Sequence, residues 1–204
     1  NRLGSNSLTE LLVFGARAAR SAVRFAVQHD DIATEEVRVQ AETEQERLRE
    51  QFFQPGGGDE TIAGLRAELN QTMESGAGIY RDESSLRNTC AQIQELNERF
   101  PRVELADHSL TFNTELTAAL ELEYMLNVAE AVAHSALMRT ESRGSHQRTD
   151  HPLRDDERFL KHSLAYHTEN GAPRIEYLDV VVTRWPPGER KYGSPIGGDE
   201  REEN

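Results

Sequence analysis

Apolar residues recur at helical spacing through most of the chain. Between positions 8 and 28, Leu8, Leu11, Leu12, Ala16, Ala19, Val23 and Ala26 fall on one stripe, the period of a helix with a single buried face. Ser7 stands before this run and Glu10 three residues on, the spacing of a capping box, so Ser7 is expected as the N-cap. Gly15 lies inside the same helix; mid-helix glycine costs about 1 kcal/mol, which predicts close packing against another element. A second, strongly charged helix is predicted over 34–53, with Thr34 as cap and acidic residues in its first turn. Asp59 opens a third that runs to Ser75, with Ile62, Leu65, Leu69 and Met73 inward and Gly76-Ala77-Gly78 as its break. A fourth covers 82–99, turns Leu86, Cys90, Ile93 and Leu96 inward, adds Phe100, and stops at Pro101.

The longest apolar pattern lies at 113–139 and includes Leu116, Leu120, Leu122, Met125, Leu126, Val128, Val132 and Leu137. It is expected to be the central helix of a bundle. Met125 and Met138 read as packing residues and His134 as a core histidine. Beyond 140 the period changes. A polar stretch from Glu141 to Asp150 ends at His151-Pro152, and Asp155-Asp156 begin a short helix with Phe159 and Leu160. Segments 163–168 and 174–183 alternate or run β-branched around Asn170-Gly171, which predicts a hairpin. Pro186-Pro187 and the tail from Asp199 to Asn204 read as exposed. The fold class is therefore mainly α.

Composition changes this picture in one respect. Hydrophobic residues are 36% of the 204 and charged residues 29%, lean for one core of that size. Solvated helix faces are expected, or a piece that leans on something else. The chain opens on Asn1, inside a motif, and we read it as a fragment of a longer protein. The net charge of -13 weighs against nucleic acid and anionic membranes as partners. It divides as +3 over 1–29, -14 over 30–133 and -2 over 134–204. Charge runs of this kind are solvated faces first. Cys90 is the only cysteine, so an internal disulfide, a cysteine zinc site and a self-contained iron–sulfur cluster are excluded, and a reducing compartment is expected. No stretch approaches the ~18 apolar residues of a membrane-spanning helix.

Two places concentrate chemistry. In the first, Asn1-Arg2-Leu3-Gly4-Ser5-Asn6-Ser7 leads into a helix N-terminus. Backbone N–H groups and the helix dipole there favour an anionic or electron-rich ligand, and an arginine just before it can fork onto a carboxylate. A capped helix with a surface arginine would have the same sequence. The second is Arg143, His146, Arg148, Asp150 and Arg154, which read as ion pairs tying the carboxy-terminal segment to a neighbour. His146, His151, His162 and His167 lack a compact zinc pattern. Gly-x-Ser-x-Gly and Gly-x-Gly-x-x-Gly are absent. Gly56-Gly57-Gly58 has no Lys-Ser/Thr behind it, so it is no phosphate loop.

A longer set of motifs, taken together, is specific. Asn1-Arg2-Leu3-Gly4-Ser5-Asn6-Ser7-Leu8 is followed by Leu12-Val13-Phe14-Gly15, Gly78-Ile79-Tyr80-Arg81, Phe112-Asn113-Thr114-Glu115-Leu116, Leu126-Asn127-Val128-Ala129-Glu130 and Glu141-Ser142-Arg143-Gly144-Ser145-His146-Gln147-Arg148. Arg154-Asp155-Asp156, Phe159-Leu160-Lys161-His162 and Pro186-Pro187 with Arg190 and Tyr192 complete the order. Across nearly its whole length the chain resembles the succinate dehydrogenase/fumarate reductase flavoprotein family, and within it the fumarate reductase members.

The resemblance implies a three-helix, spectrin-repeat-like bundle with a short carboxy-terminal β-hairpin segment, preceded by the last helix of an FAD-binding α/β domain. It places the end of that domain at 1–29, the bundle at 30–140 and an extension at 141–204. It implies FAD as cofactor, fumarate and succinate as the substrate pair, and hydride transfer from flavin. Electrons would come from quinol through an iron–sulfur subunit, with membrane anchor subunits holding the complex at the cytoplasmic face of the bacterial inner membrane in anaerobic respiration. Arg2 matches the family's substrate-carboxylate arginine, and Ser7 and Leu8 match positions that contact FAD. The dinucleotide-binding start, the histidine that carries FAD and the capping domain with its proton-donating arginine have no counterpart here. No catalytic residue is therefore assigned, the proton donor is expected upstream, and the fragment alone is expected to be inactive. A succinate dehydrogenase flavoprotein, an L-aspartate oxidase and a non-catalytic helical interaction domain are the alternatives. The long segment after Arg154, through Arg190-Lys191-Tyr192, favours the complex-forming members.

Overall fold

A computed structural model describes residues 6–29, 34–53, 58–168, 171–186 and 188. The described residues form six α-helices and four short strands: α1 (Asn6–Gln28), α2 (Thr34–Phe52), α3 (Ile62–Ala77), β1 (Tyr80–Arg81), α4 (Glu83–Arg99), α5 (Thr114–Met138), β2 (Gln147–Arg148), α6 (Asp156–Phe159), β3 (Lys161–Tyr166) and β4 (Arg174–Asp179).

Side-chain caps set where the helices start. Thr61 accepts a hydrogen bond from the Gly64 backbone N–H, Asp82 from that of Ser85, and Asn113 from that of Leu116. Each ties down one of the N–H groups that a first turn leaves without a helical partner. The third helix therefore starts at Ile62 rather than Asp59, because the cap is Thr61. It also continues through Gly76 to Ala77. A Cβ on Gly76 would lie 1.9 Å from Thr89 Oγ1. Glycine there lets α3 approach α4 closely, and is not a stop signal. Pro101 ends α4 as expected, and Phe100–Arg102 form a single 3₁₀ turn.

Helices α3, α4 and α5 pack on one another as a three-helix bundle. Leu65 and Leu69 from α3 meet Ile93 and Leu96 from α4 and Leu122 and Leu126 from α5, all buried. Cys90 is buried on the α4 stripe, and burial pushes its thiol up to about 11, which makes it inert at neutral pH. Only the end of α2 reaches this core. Phe52 is buried edge-on to Phe100, and Arg47 pairs with Glu123 at 3.1 Å. The rest of α2 is exposed and held by pairs such as Arg47–Glu44 at 2.7 Å.

Three expectations of burial are not met. Every residue of α1 from Leu11 to Gln28 is exposed, and beyond the adjoining backbone of α1 and Gly15's two chain neighbours no described atom comes within 4 Å of a Cβ placed on Gly15. On α5, Val128 and Val132 are 62% and 41% exposed. The apolar pattern there is wider than the arc that α3 and α4 cover. Met138, at the helix end, is also exposed, while Met125 packs on the core. His134 is half-buried, and burial lowers its pKa against the opposing pull of Glu130.

Strands β3 and β4 form the expected antiparallel hairpin, with Lys161 opposite Asp179 and Tyr166 opposite Arg174. Strand β4 ends at Asp179, so the β-branched run at 180–183 lies outside it. The second sheet was not expected: β1 and β2 are two-residue strands that pair in parallel, Tyr80 with Gln147 and Arg81 with Arg148.

Candidate functional site

Of the three residues singled out for ligand contact, two can be placed. Ser7 and Leu8 lie in the first turn of α1, where Leu8 is 74% exposed and Ser7 partly buried. The helix already includes Asn6, so Ser7 stands inside the first turn rather than at the cap. Arg2 lies outside the described residues. The first turn of a 23-residue helix presents backbone N–H groups and the positive end of its dipole. An exposed leucine beside them adds an apolar contact. That donor set suits a flat, electron-rich ring edged with carbonyl oxygens, and so fits a flavin.

The polar stretch after α5 folds into a knot of charges around the ends of two helices. Arg148 is 1% exposed, and its Nε and one terminal nitrogen donate to the two oxygens of Asp150, each at 2.7 Å. The other terminal nitrogen donates to the carbonyls of Ala136, Leu137 and Arg139 at 3.2–3.3 Å. Those carbonyls close α5, where a cation satisfies both the free acceptors and the dipole. Asp150 Oδ2 in turn accepts the Glu83 backbone N–H at 2.9 Å, in the first turn of α4. One ion pair thus bridges the negative end of α5 and the positive end of α4. The Arg148 guanidinium holds the Asp150 carboxyl far below the usual carboxylate range.

Glu141 is the second hub and is fully buried. It accepts from Arg139 at 2.5 Å, from Arg143 Nε at 2.8 Å and from the Asp155 backbone N–H at 2.8 Å. Burial alone would raise its pKa, but Arg143, the Asp155 N–H and Arg139 together outweigh it, and the carboxyl stays ionised. Arg139 also donates to the carbonyls of Phe159 and Lys161, at 2.8 and 2.6 Å, which fastens β3 to the end of α5. Arg143 and Arg154 share Asp156, at 2.6 and 2.8 Å.

His146 sits between cations. Arg81 donates to its Nδ1 at 3.0 Å, and its Nε2 lies 3.0 Å from the Arg139 carbonyl. A guanidinium can only donate, so Nδ1 is the acceptor and Nε2 carries the proton. Burial, with Arg81, Arg148 and Arg139 nearby, holds the imidazole neutral below its ordinary pKa.

This geometry answers the sequence reading of Arg143, His146, Arg148, Asp150 and Arg154. Four of them form ion pairs: Arg148–Asp150 ties the segment to the paired ends of α4 and α5, while Arg143 and Arg154 pair within the segment, and His146 joins only by hydrogen bonds. Sequence reasoning did not place Arg81, Arg139 or Glu141 in the knot. The available signal was their position at helix ends, where charged side chains meet free backbone groups. Glu141 and Asp150 are engaged by guanidinium and backbone N–H donors together, and Asp156 takes two guanidinium groups while remaining partly exposed. No group of metal-ligating residues forms among the described residues.

Comparison with known proteins agrees with the motif order. The family described as fumarate reductase flavoprotein C-term matches residues 66–192. The fumarate reductase flavoprotein subunit of Mycobacterium tuberculosis is 55% identical over 196 residues, covering 95% of this chain and 34% of that protein. That of Escherichia coli K12 is 46% identical over 195 residues, covering 95% and 32%. The chain thus spans about a third of the length of the curated relatives it matches. Among solved structures, one titled as quinol-fumarate reductase with menaquinol molecules superposes with a TM-score of 0.84 at 44% identity, over 92% of this chain and 33% of that one. Mycobacterium smegmatis Sdh1 in complex with UQ1 gives 0.73 at 30% identity, over 89% and 30%. Adenylylsulfate reductase from Archaeoglobus fulgidus, at 21% identity and a TM-score of 0.64 over 80% of this chain and 28% of that one, shares the fold alone. In sequence and in fold, the chain belongs to the fumarate reductase flavoprotein C-terminal family.

Proposed function

We propose that this chain is the carboxy-terminal part of an FAD-containing catalytic subunit that interconverts fumarate and succinate. In this reading residues 1–29 close the flavin-binding domain, 30–140 form the bundle and 141–204 the extension. The observation that carries it is the head of α1. A long helix starts within a few residues of Arg2, with Ser7 and Leu8 in its first turn and its apolar face exposed.

Bound FAD would supply the hydride that converts fumarate to succinate. The chain's own residues do the holding. First-turn N–H groups at Ser7 and Leu8 would hold the ring and favour negative charge on it. The Arg2 guanidinium forks onto one substrate carboxylate with parallel hydrogen bonds and fixes its orientation. The general acid lies outside these residues.

The relatives' names favour fumarate reduction. In this reading electrons would come from quinol through an iron–sulfur subunit, with anchor subunits holding the complex at the cytoplasmic face of the bacterial inner membrane. Fumarate reductase flavoproteins match at 55–44% identity and succinate dehydrogenase flavoproteins at 34–33%. No described helix is long and apolar enough to cross a membrane, so membrane residence would come through partner chains. Arg2→Ala in the full-length subunit is expected to cost roughly 2–5 kcal/mol of transition-state binding, the range for a desolvated charge pair. Steady-state fumarate reduction checks this, and unchanged turnover in the variant rules the assignment out.

A further inference from the structure

Every arginine of the knot but one rests on a carboxylate. Arg139 and Arg143 hold Glu141, Arg148 holds Asp150, and Arg154 holds Asp156. Arg81 is the exception among the described residues. Its Nε donates to the Gly78 carbonyl at 2.9 Å and one terminal nitrogen donates to His146, and both partners are neutral. It is a half-desolvated cation without a counter-charge, and burial lowers its pKa accordingly.

Arg81 stands beside the part of α5 that α3 and α4 leave open. Asn127, Val128, Ala131, Val132 and Ser135 floor a depression of about 540 Å³ there, rimmed by Arg81, Arg139, His146 and Ser163. A second depression of about 490 Å³, between α3 and α5, shares Val128 and Val132 and adds Leu69, Met73 and Tyr124. Together they form one apolar strip with a cation at its end.

We propose that this strip is a docking surface for the upstream part of the same polypeptide, which sets an Asp or Glu carboxylate on Arg81 with apolar residues beside it. This rests on the reading that the chain is the carboxy-terminal part of a longer subunit. Charge and length choose the occupant. Arg81 calls for one carboxylate on an apolar background, which a protein surface offers. A second copy would bring a further -13 charge, and an anionic membrane is repelled by the same charge. The relatives run to about three times this length in a single chain, so upstream residues are the surface in covalent reach.

The test uses the full-length subunit with a photo-cross-linking residue, Val128→p-benzoylphenylalanine, at a position that is exposed here. The expected product is an internal cross-link to a peptide that precedes Asn1 and contains Asp or Glu. Arg81→Gln should abolish it and Arg81→Lys should keep it. A cross-link to a separate subunit, a cross-link to a second copy, or no cross-link overturns the proposal. An undiminished cross-link in Arg81→Gln overturns the carboxylate. Flavin content and fumarate turnover of the same preparation read separately on the parent assignment. An active flavoprotein without the cross-link defeats the docking surface alone.

Discussion

A guanidinium survives inside this protein because three kinds of acceptor surround it. Arg148 has a bidentate carboxylate on one side and the last carbonyls of α5 on the other, so none of its polar directions meets apolar atoms unpaired. Removing it leaves Asp150 charged, partly desolvated and facing uncapped α5 carbonyls. Arg148→Met is therefore expected to destabilise the chain by about 3–5 kcal/mol, as for a buried pair broken on one side, measured by denaturant unfolding. The same residues set the response to acid. The folded-state pKa values of Asp150 and Glu141 are depressed, so their stabilisation is complete above the unfolded carboxylate range and is lost as pH falls through the folded values. His146 is also lowered, so the unfolded chain takes up its proton first, and stability declines as pH falls from about 6.5 towards the folded value. His134 contributes in the same direction. Replacing His146 with Asn should make that upper step shallower and leave the carboxylate step in place, and unfolding free energies between about pH 5 and 7 decide it.

At the scale of elements, what the periodicity could convey depended on how each helix is covered. The α3 and α4 stripes were legible because two neighbours bury them, so Leu65, Leu69, Leu86, Ile93 and Leu96 fall inside. The α5 stripe was legible as a helix but misleading about its faces, since Val128 and Val132 carry apolar side chains towards the open side. Gly76 is the sharpest case. Its place beside Gly78 resembled a helix end, but the space is taken by Thr89, which is buried on the facing helix. Gly76→Ala gains helix propensity and yet must displace Thr89 Oγ1 and crowd the Ser85 carbonyl 3.0 Å away. The overpacking cost, about 1–3 kcal/mol, exceeds the propensity gain. A lower thermal midpoint than the parent's is expected, and an equal or higher one would show that α3 and α4 can part without cost.

For the whole molecule, local pattern found the helices, the hairpin and the charged residues of the polar stretch, because each depends on neighbours within a few positions. It could not find the sheet of β1 and β2, since two residues carry no alternation to read. It could not complete the knot either, because Arg81 reaches His146, Arg139 the Phe159 carbonyl and Glu141 the Asp155 N–H only once distant segments have come together. The head of α1 was legible as a helix start from Ser7 and Glu10, with Ser7 falling inside the first turn instead of before it.

The β1–β2 pair has a kinetic meaning. Arg81 and Arg148 face each other across two whole helices and the turns between them. The antiparallel contacts of α3 with α4 and of α4 with α5 join neighbours in the chain and can form early, whereas this tie closes a long loop and must wait for both. A ribosome-bound chain that has not yet released Arg148 would have a bundle without its clasp, with the carbonyl end of α5 still open to water.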